Sequence, residues 1–237
     1  LRIGFLGGGQ LGRMTIQAAL DLDYRIHILD PDPQCPCARI AHQFTQGDLN
    51  DAEAVIAWGR TLNVVTVEIE NVSIEGLTAL KAMGVQVLPD PSHLALIRDK
   101  GTQKEFYASH GIPTSDFALV EDGRAEVLSR GLPVVQKLRT GGYDGRGVQV
   151  IRTEADAADA FDAPCVLEDA VAIDKELSVI VARSTTGEVK TYPVVESVFN
   201  ELNLVDYLVA PARISETVAD EARRVALSVV EAMDFVG

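Results

Sequence analysis

The stretch Lys137-Leu138-Arg139-Thr140-Gly141-Gly142-Tyr143-Asp144-Gly145-Arg146-Gly147 decides how the chain is read. Before it, Pro133-Val134-Val135-Gln136 reads as a buried strand that delivers Lys137 to a defined place. After it, Val148-Gln149-Val150-Ile151 alternates apolar and polar and reads as the returning strand. Between the strands stand four glycines, two arginines and a lysine. Glycine lets backbone N–H groups approach a ligand closely, and concave nests of amides bind phosphate oxygens. Lysine adds a point charge for phosphate, and arginine a planar fork. A plain solvated hairpin needs far fewer glycines and cations. The stretch reads as a flap that grips phosphate. It is not a Walker A loop, because no Gly-Lys-Ser/Thr opens a helix here.

Toward the N-terminus, Arg2-Ile3-Gly4-Phe5-Leu6 reads as a strand, followed by Gly7-Gly8-Gly9-Gln10-Leu11-Gly12. A helical pattern then runs to about Leu22, with Met14, Ala18 and Leu22 on one face. Arg25-Ile26-His27-Ile28-Leu29 is a second strand ending at Asp30. Glycines at 7, 9 and 12 with an acid at the end of the next strand satisfy a dinucleotide-binding fingerprint. Any tight strand-to-helix turn wants such glycines, however, and a helix N-terminus holds a lone phosphate as readily as a pyrophosphate. Residues 51–61 read as a helix, 64–69 as a strand, 73–83 as a helix and 86–88 as a short strand. That alternation predicts a parallel sheet with helices on both faces. Glu70 and Asn71 fall just past the carboxyl end of a strand, where such sheets bind ligands. Asn71 could equally cap the next helix, whereas Glu70 has no comparable structural reason.

Pro89-Asp90-Pro91 marks a domain boundary. Beyond it, residues 92–98, 101–110 and 122–130 read as helices, and Thr153-Glu154-Ala155-Asp156 resembles a capping box opening a helix to about Phe161. Residues 165–171, 175–183 and 188–195 read as strands, the last two joined by a hairpin at Thr185-Thr186-Gly187. From Ser215 a helical stripe runs through Val218, Ala222, Val225, Val229 and Met233.

The formal net charge of −14 argues against nucleic acid or an anionic membrane as partner. Against that background Arg98, Lys100, Lys104, Lys137, Arg139 and Arg146 form a local reversal of sign suited to an anionic ligand. Apolar residues make up 47% and charged residues 24%, ordinary for a globular protein, with no apolar run of membrane-spanning length. Cys35, Cys37 and Cys165 lack metal spacing and read as free thiols in a reducing cytoplasm. His27, His42, His93 and His110 are scattered without paired spacing. The first residue, Leu1, already belongs to a strand, so the chain is expected to start just inside a longer N-terminus.

Several motifs together resemble the ATP-grasp ligases, and more narrowly the 5-(carboxyamino)imidazole ribonucleotide synthases of purine biosynthesis. They are Gly8-Gly9-Gln10-Leu11-Gly12-Arg13-Met14, Glu68-Ile69-Glu70-Asn71-Val72, Asp99-Lys100-Gly101-Thr102-Gln103-Lys104, the flap, Glu168 and Glu176, and Tyr192-Pro193-Val194-Val195-Glu196. The resemblance implies an α/β protein: a Rossmann-like parallel-sheet domain over 1–91, then an ATP-grasp α+β domain cut short at its C-terminus. Within the latter, 92–164 would be the small lid subdomain with the flap and 165–237 the first part of the larger subdomain.

The implied substrates are ATP, bicarbonate and aminoimidazole ribonucleotide. Arg98 and Lys137 would hold ATP phosphates beneath a loop of Gly142, Tyr143, Asp144, Gly145, Arg146, Gly147 and Val148. Glu168, Asp169, Ala170 and Val171 would meet adenine through backbone groups, and Glu176 the ribose hydroxyls. Gly9, Gln10, Leu11, Glu70 and Asn71 would bind the ribonucleotide, with Tyr143, Asp144 and Arg146 at the reacting groups. Mg²⁺ would be required, its ligands expected beyond Gly237, and the family implies a cytoplasmic homodimer. Two departures stand out: Glu196-Ser197-Val198-Phe199 lacks the histidine common in the family, and the chain stops before the family's metal-binding glutamates. Three other readings stay open: a formate-using ATP-grasp enzyme acting on glycinamide ribonucleotide, an NAD-dependent oxidoreductase built on the glycines and Asp30, and a non-catalytic nucleotide-binding fragment.

Overall fold

The computed structural model describes residues 1–142, 146–200 and 204–237. It divides into two compact units, Leu1–Ala95 with Val236–Gly237, and Leu96–Phe235. The first contains β1 (Arg2–Leu6), α1 (Gln10–Asp21), β2 (Arg25–Asp30), β3 (Gln43–Gln46), α2 (Ala52–Gly59), β4 (Val64–Val67), α3 (Ile74–Ala82) and β5 (Gln86–Val87), and α4 (Pro91–Arg98) carries the chain onward. The sheet runs β3-β2-β1-β4-β5, parallel throughout. Its inner strands β2 and β1 are packed on both faces, which is why they read as largely apolar runs, whereas the edge strand β3, Gln43-Phe44-Thr45-Gln46, is only partly buried and carries no such signal. Leu6, Leu29, Val55, Val65, Leu77 and Leu80 form the core on one side, and Phe5, Ile16, Ile26, Ile28 and Cys37 that on the other. The order changes direction between β1 and β4, so the loops after those strands flank the switch point where such sheets bind ligands.

Helix starts follow from short polar caps. Asp51 accepts from the amides of Glu53 and Ala54 to open α2, and Ser73 from Gly76 to open α3. Ser73 and not Asn71 is therefore the cap of α3. In α1 the buried residues are Gly12, Ile16 and Ala19, whereas Met14 is 58% and Leu22 63% exposed. The apolar face expected through Met14, Ala18 and Leu22 is on the outside. The spacing of four is common to both faces, and the residue that enters the core is set by how the helix leaves the glycine loop.

The second unit has α5 (Lys100–Ser109), β6 (Phe117–Val120), α6 (Gly123–Glu126), β7 (Val134–Leu138), β8 (Val148–Ile151) and β9 (Cys165–Asp169). Its strands form an antiparallel sheet in the order β6-β9-β7-β8. Val120, Val127, Val134, Ile151, Cys165 and Leu167 pack into its core. The helix expected over 122–130 is one α-helical turn continued by a 3₁₀ turn at Val127–Arg130. The capping pair forms, with Asp156 accepting from the amides of Arg152 and Thr153, but opens only a 3₁₀ turn at Asp156–Asp159.

There follow β10 (Glu176–Ser178), β11 (Val181–Arg183), β12 (Val189–Thr191), β13 (Val195–Phe199), β14 (Val205–Val209) and α7 (Glu216–Ala232). β10-β13-β14 make a three-stranded sheet, and β11-β12 the expected hairpin. The two long strands read over 175–183 and 188–195 are each broken in two; in the second, Pro193 has no N–H to continue the ladder between β12 and β13. The stripe of α7 is only half-buried, Val218 is 45% exposed, and Ala219 is its one fully buried residue.

Candidate functional site

Lys137 is the last but one residue of β7, where the glycine-rich hairpin begins. In register it stands beside Val148 on β8 and Val166 on β9, with Glu168 opposite Val135. Residues two apart on a strand share a face, so Lys137 and Glu168 are diagonal neighbours within side-chain reach. Phe117 of β6 is paired with Glu168 and joins the same face. The opposite face, with Val134, Leu138 and Leu167, is the apolar core.

On the polar face the side chains form one charged cluster. Lys137 Nζ lies 2.9 Å from Glu168 Oε1 and 3.0 Å from Oε2. Ser115 donates to Glu168 Oε2 at 2.7 Å. From α5, Lys104 Nζ approaches Glu168 Oε2 at 3.4 Å, donates to Thr114 Oγ1 at 2.5 Å and Ser115 Oγ at 2.8 Å, and stands 5.5 Å above the Phe117 ring. Glu168 is 6% and Lys104 8% exposed. Burial pushes the Glu168 carboxyl up, but the Lys137 and Ser115 hydrogen bonds and both lysine charges outweigh it, and the group lies below the ordinary carboxylate range. Burial lowers the Lys104 ammonium, partly offset by the charge of Glu168. A buried carboxylate between two ammonium groups leaves net positive charge at the foot of the hairpin, where an anion would be held.

The hairpin itself begins and ends on close backbone contacts. Leu138 N donates to Gly147 O at 2.8 Å, and a Cβ on Gly142 would lie 2.6 Å from the Arg146 carbonyl oxygen. Only glycine permits that approach. Tyr143, Asp144 and Gly145 lie outside the described residues. Arg146 is exposed, and Gly147 and Val148 are half-buried. Arg139, read as a phosphate fork, is taken by Asp99 at 3.0 and 2.6 Å. Asp99 also caps α5 by accepting from Gly101 and Thr102, so this pair ties the start of α5 to the end of β7. Of the six cations in the sign reversal, Lys104 and Lys137 meet at Glu168. Arg139 meets Asp99, and Arg98 closes α4, half-buried.

Asp169 is exposed and accepts from Arg130 at 2.7 Å; Ala170 and Val171 lie past the last ladder pair of β9, Val171 63% exposed. Glu176 opens β10 opposite Ser197 and is exposed. The Glu196 carboxylate is buried and accepts from Arg213 Nε at 3.0 Å and Nη2 at 2.9 Å and from Lys175 at 2.8 Å. These bonds, Arg213 first, hold its pKa down to about 2.

In the first unit the glycine loop is occupied by the protein's own carboxylates. Glu68, directly after β4, accepts from Gly9 N at 2.9 Å and Gly12 N at 3.4 Å, and Asp30 accepts from Gly8 N at 2.7 Å. A Cβ on Gly9 would lie 2.5 Å from Glu68 Oε1. The amides that would cradle a pyrophosphate are thus already paired, and the dinucleotide reading loses its anchor. Glu70 and Asn71 are exposed, as are Gln10 and Leu11 on the first turn of α1. Sequence reasoning passed over Glu68 in favour of Glu70 because the strand was read over 64–69 with Glu68 inside it; the ladder ends at Val67, and Glu68 is the first residue beyond it. Cys35 and Cys37 are buried free thiols beneath this loop, with burial pushing Cys37 up to about 11. No helix is long and apolar enough to cross a membrane among the described residues.

Comparison with known proteins sharpens this picture. A ribonucleotide synthetase preATP-grasp domain model matches residues 1–98, and an ATP-grasp domain model matches residues 105–237. The chain is 35% identical to N5-carboxyaminoimidazole ribonucleotide synthase of Synechococcus elongatus, over 99% of this chain and 61% of the relative. Among solved structures it resembles N5-carboxyaminoimidazole ribonucleotide synthetase from Thermotoga maritima, with TM-score 0.90 and 38% identity over 100% of this chain and 62% of that one. It also resembles N5-carboxyaminoimidazole synthase from Aspergillus clavatus in complex with ADP and 5-aminoimidazole ribonucleotide, with TM-score 0.87 and 30% identity over 100% of this chain and 63% of that one. The chain therefore spans a little over three-fifths of the relatives it matches. With a flap lysine set against a buried carboxylate and a domain match over more than half its length, this chain belongs to the ATP-grasp family.

Proposed function

We propose that this chain binds ATP and serves the carboxylation of 5-aminoimidazole ribonucleotide with bicarbonate, a step of purine biosynthesis. The observation that carries the reading is the Lys104–Glu168–Lys137 cluster at the foot of a glycine-closed hairpin, in a chain alike over its whole length to N5-carboxyaminoimidazole ribonucleotide synthases. In this reading bicarbonate oxygen attacks the γ-phosphorus of ATP, the bond to ADP breaks, and carboxyphosphate forms. The exocyclic amine of the ribonucleotide then takes the carboxyl carbon, directly or as released carbon dioxide, and phosphate leaves. Such transfers ask a protein for positioning and charge neutralisation more than for a nucleophile.

Lys137 and Arg98 would then face the phosphates, with residues 142–148 folded over them and Tyr143, Asp144 and Arg146 toward the reacting groups. Ala170 and Val171, beyond the ladder, have backbone groups available for adenine, and Glu176 would take the ribose. In the first unit Glu68 and Asp30 occupy the loop amides, so the first-turn amides of Gln10 and Leu11 are the donors for a ribonucleotide phosphate. Gly9 permits the close approach, and Glu70 and Asn71 flank the ribonucleotide. The division into 1–91, 92–164 and 165–237 is retained as part of this reading, as are a homodimer, checked by light scattering, and a cytoplasmic location.

ATP chemistry of this class uses Mg²⁺ to bridge phosphate oxygens. The described residues do not supply its site: no three His, Cys, Asp or Glu side chains gather to hold a metal ion, and Glu168 is committed to its lysines.

The test is ADP release from Mg²⁺-ATP and bicarbonate, with and without aminoimidazole ribonucleotide. Acceleration by the ribonucleotide, lost in Lys137→Ala, is the expected result. ATP binding without turnover would leave a nucleotide-binding fragment and remove the carboxylation by this chain.

A further inference from the structure

Two lysines share one carboxylate, and they are not equivalent. The Lys137 side chain is 30% exposed and comes from the strand that enters the flap, whereas those of Lys104 and Glu168 are 10% and 8% exposed. Lys104 is held at four oxygens: Thr114 Oγ1, Ser115 Oγ, the Ser115 carbonyl at 3.3 Å and Glu168 Oε2. Lys137 has Glu168 as its one side-chain ion partner among the described residues. An ammonium that turns toward a polyphosphate must leave its carboxylate, and a buried carboxylate without a counter-charge is strongly unfavourable. Lys104 is placed to remove that penalty, since it and Ser115 stay with Glu168 when Lys137 departs.

We propose that Lys104 is a positioning residue for nucleotide phosphate: by keeping Glu168 neutralised it lets Lys137 exchange the carboxylate for the phosphate of a nucleoside di- or triphosphate. The inference rests on the ATP reading above. It assigns Lys104 no contact with the nucleotide. Without Lys104, Glu168 would hold Lys137 as its sole counter-ion and compete directly with phosphate.

The experiment measures ADP and adenosine affinity by calorimetry in the full 237-residue chain and in Lys104→Met, Glu168→Gln and Lys104→Met/Glu168→Gln. Lys104→Met is expected to weaken ADP about tenfold, while adenosine, which has no phosphate, changes less than about twofold. With Glu168 already neutral, the same lysine substitution is expected to cost less than about twofold for ADP. Equal loss of ADP and adenosine, or an equal loss of ADP in both backgrounds, overturns the proposal, because a purely structural lysine would act that way. Should Lys104→Met alone fail to fold, Glu168→Gln against the double variant decides, and a clear further loss there overturns it. If the unsubstituted chain binds no ADP at all, the ATP reading itself has failed, an outcome distinct from all of these.

Discussion

Glu68 decides what the glycine loop can do. Its carboxylate replaces the missing side-chain cap of α1, accepting from Gly9 and Gly12, while Gly9 itself offers none. Replacing it by alanine leaves part-buried amides without an acceptor, and Glu68→Ala is expected to lower stability by about 1–3 kcal/mol, read as a shift in the urea midpoint. Gly9→Ala should act in the same direction, since its Cβ would fall 2.5 Å from the carboxylate. At the second site Lys137 is the one cation of the cluster open to solvent. Lys137→Ala is expected to weaken ADP by at least about tenfold, the scale of a charge-assisted hydrogen bond, in a direct titration. In the sequence Glu68 falls inside a strand read over 64–69, leaving Glu70 as the acid past its end. The ladder stops at Val67, and Glu68 is the acid that turns to the glycine loop.

Among elements, the join between α5 and β7 carries the flap. Asp99 caps α5 and pairs with Arg139, the Lys100 amide donates to the Arg139 carbonyl at 2.9 Å, and Lys104 comes from the same helix to Glu168. Arg139 raises the stability of the Asp99 carboxylate, holding it below its usual range. Asp99→Ala removes a helix cap and an ion pair together and should cost about 1–3 kcal/mol in a denaturant titration, with weakened ADP as a second readout. Gly142→Ala would drive a Cβ to 2.6 Å from the Arg146 carbonyl. Its expected result is a distorted hairpin with lost ADP affinity and a melting temperature changed by only a few degrees, because the core lies on the other face of the sheet. The sequence showed α5, β7 and β8 as separate elements. That Arg139 serves Asp99 and not phosphate was invisible, since the two residues are brought together only by folding.

For the molecule as a whole, acid is the informative stress. Glu196 is held at about 2 by Arg213 and Lys175, and Glu168 and Asp99 also lie below their ordinary values. A carboxylate with a lowered native pKa contributes stability fully above its unfolded value, and that contribution is lost as pH falls toward the native one. All three lie in the second unit, Leu96–Phe235. Melting measured from pH 6 down to pH 2 should therefore hold near pH 6, and fall below the unfolded glutamate value of 4.5 as pH approaches 2. A flat profile across that window would contradict the three ion pairs. Ligand specificity is a second whole-chain test: ATP should raise the melting temperature and NAD should not, because Asp30 and Glu68 already fill the loop a dinucleotide would use.

By itself the sequence determined most of the elements though not β3, β6 or β14, the parallel then antiparallel character of the two halves, the flap and its lysine, and, through the resemblance of its motifs, the family. Those properties are written in local signals: apolar periodicity, glycine spacing, and cations against an acidic background. Tertiary structure alone decided which face of α1 is buried, where the two long strands are divided, and which carboxylate meets which cation. Glu68 reaches Gly9 across 59 positions of chain, and Lys137 reaches Glu168 across 31. Pairings over such separations depend on strand order and register, which one-dimensional patterns do not encode.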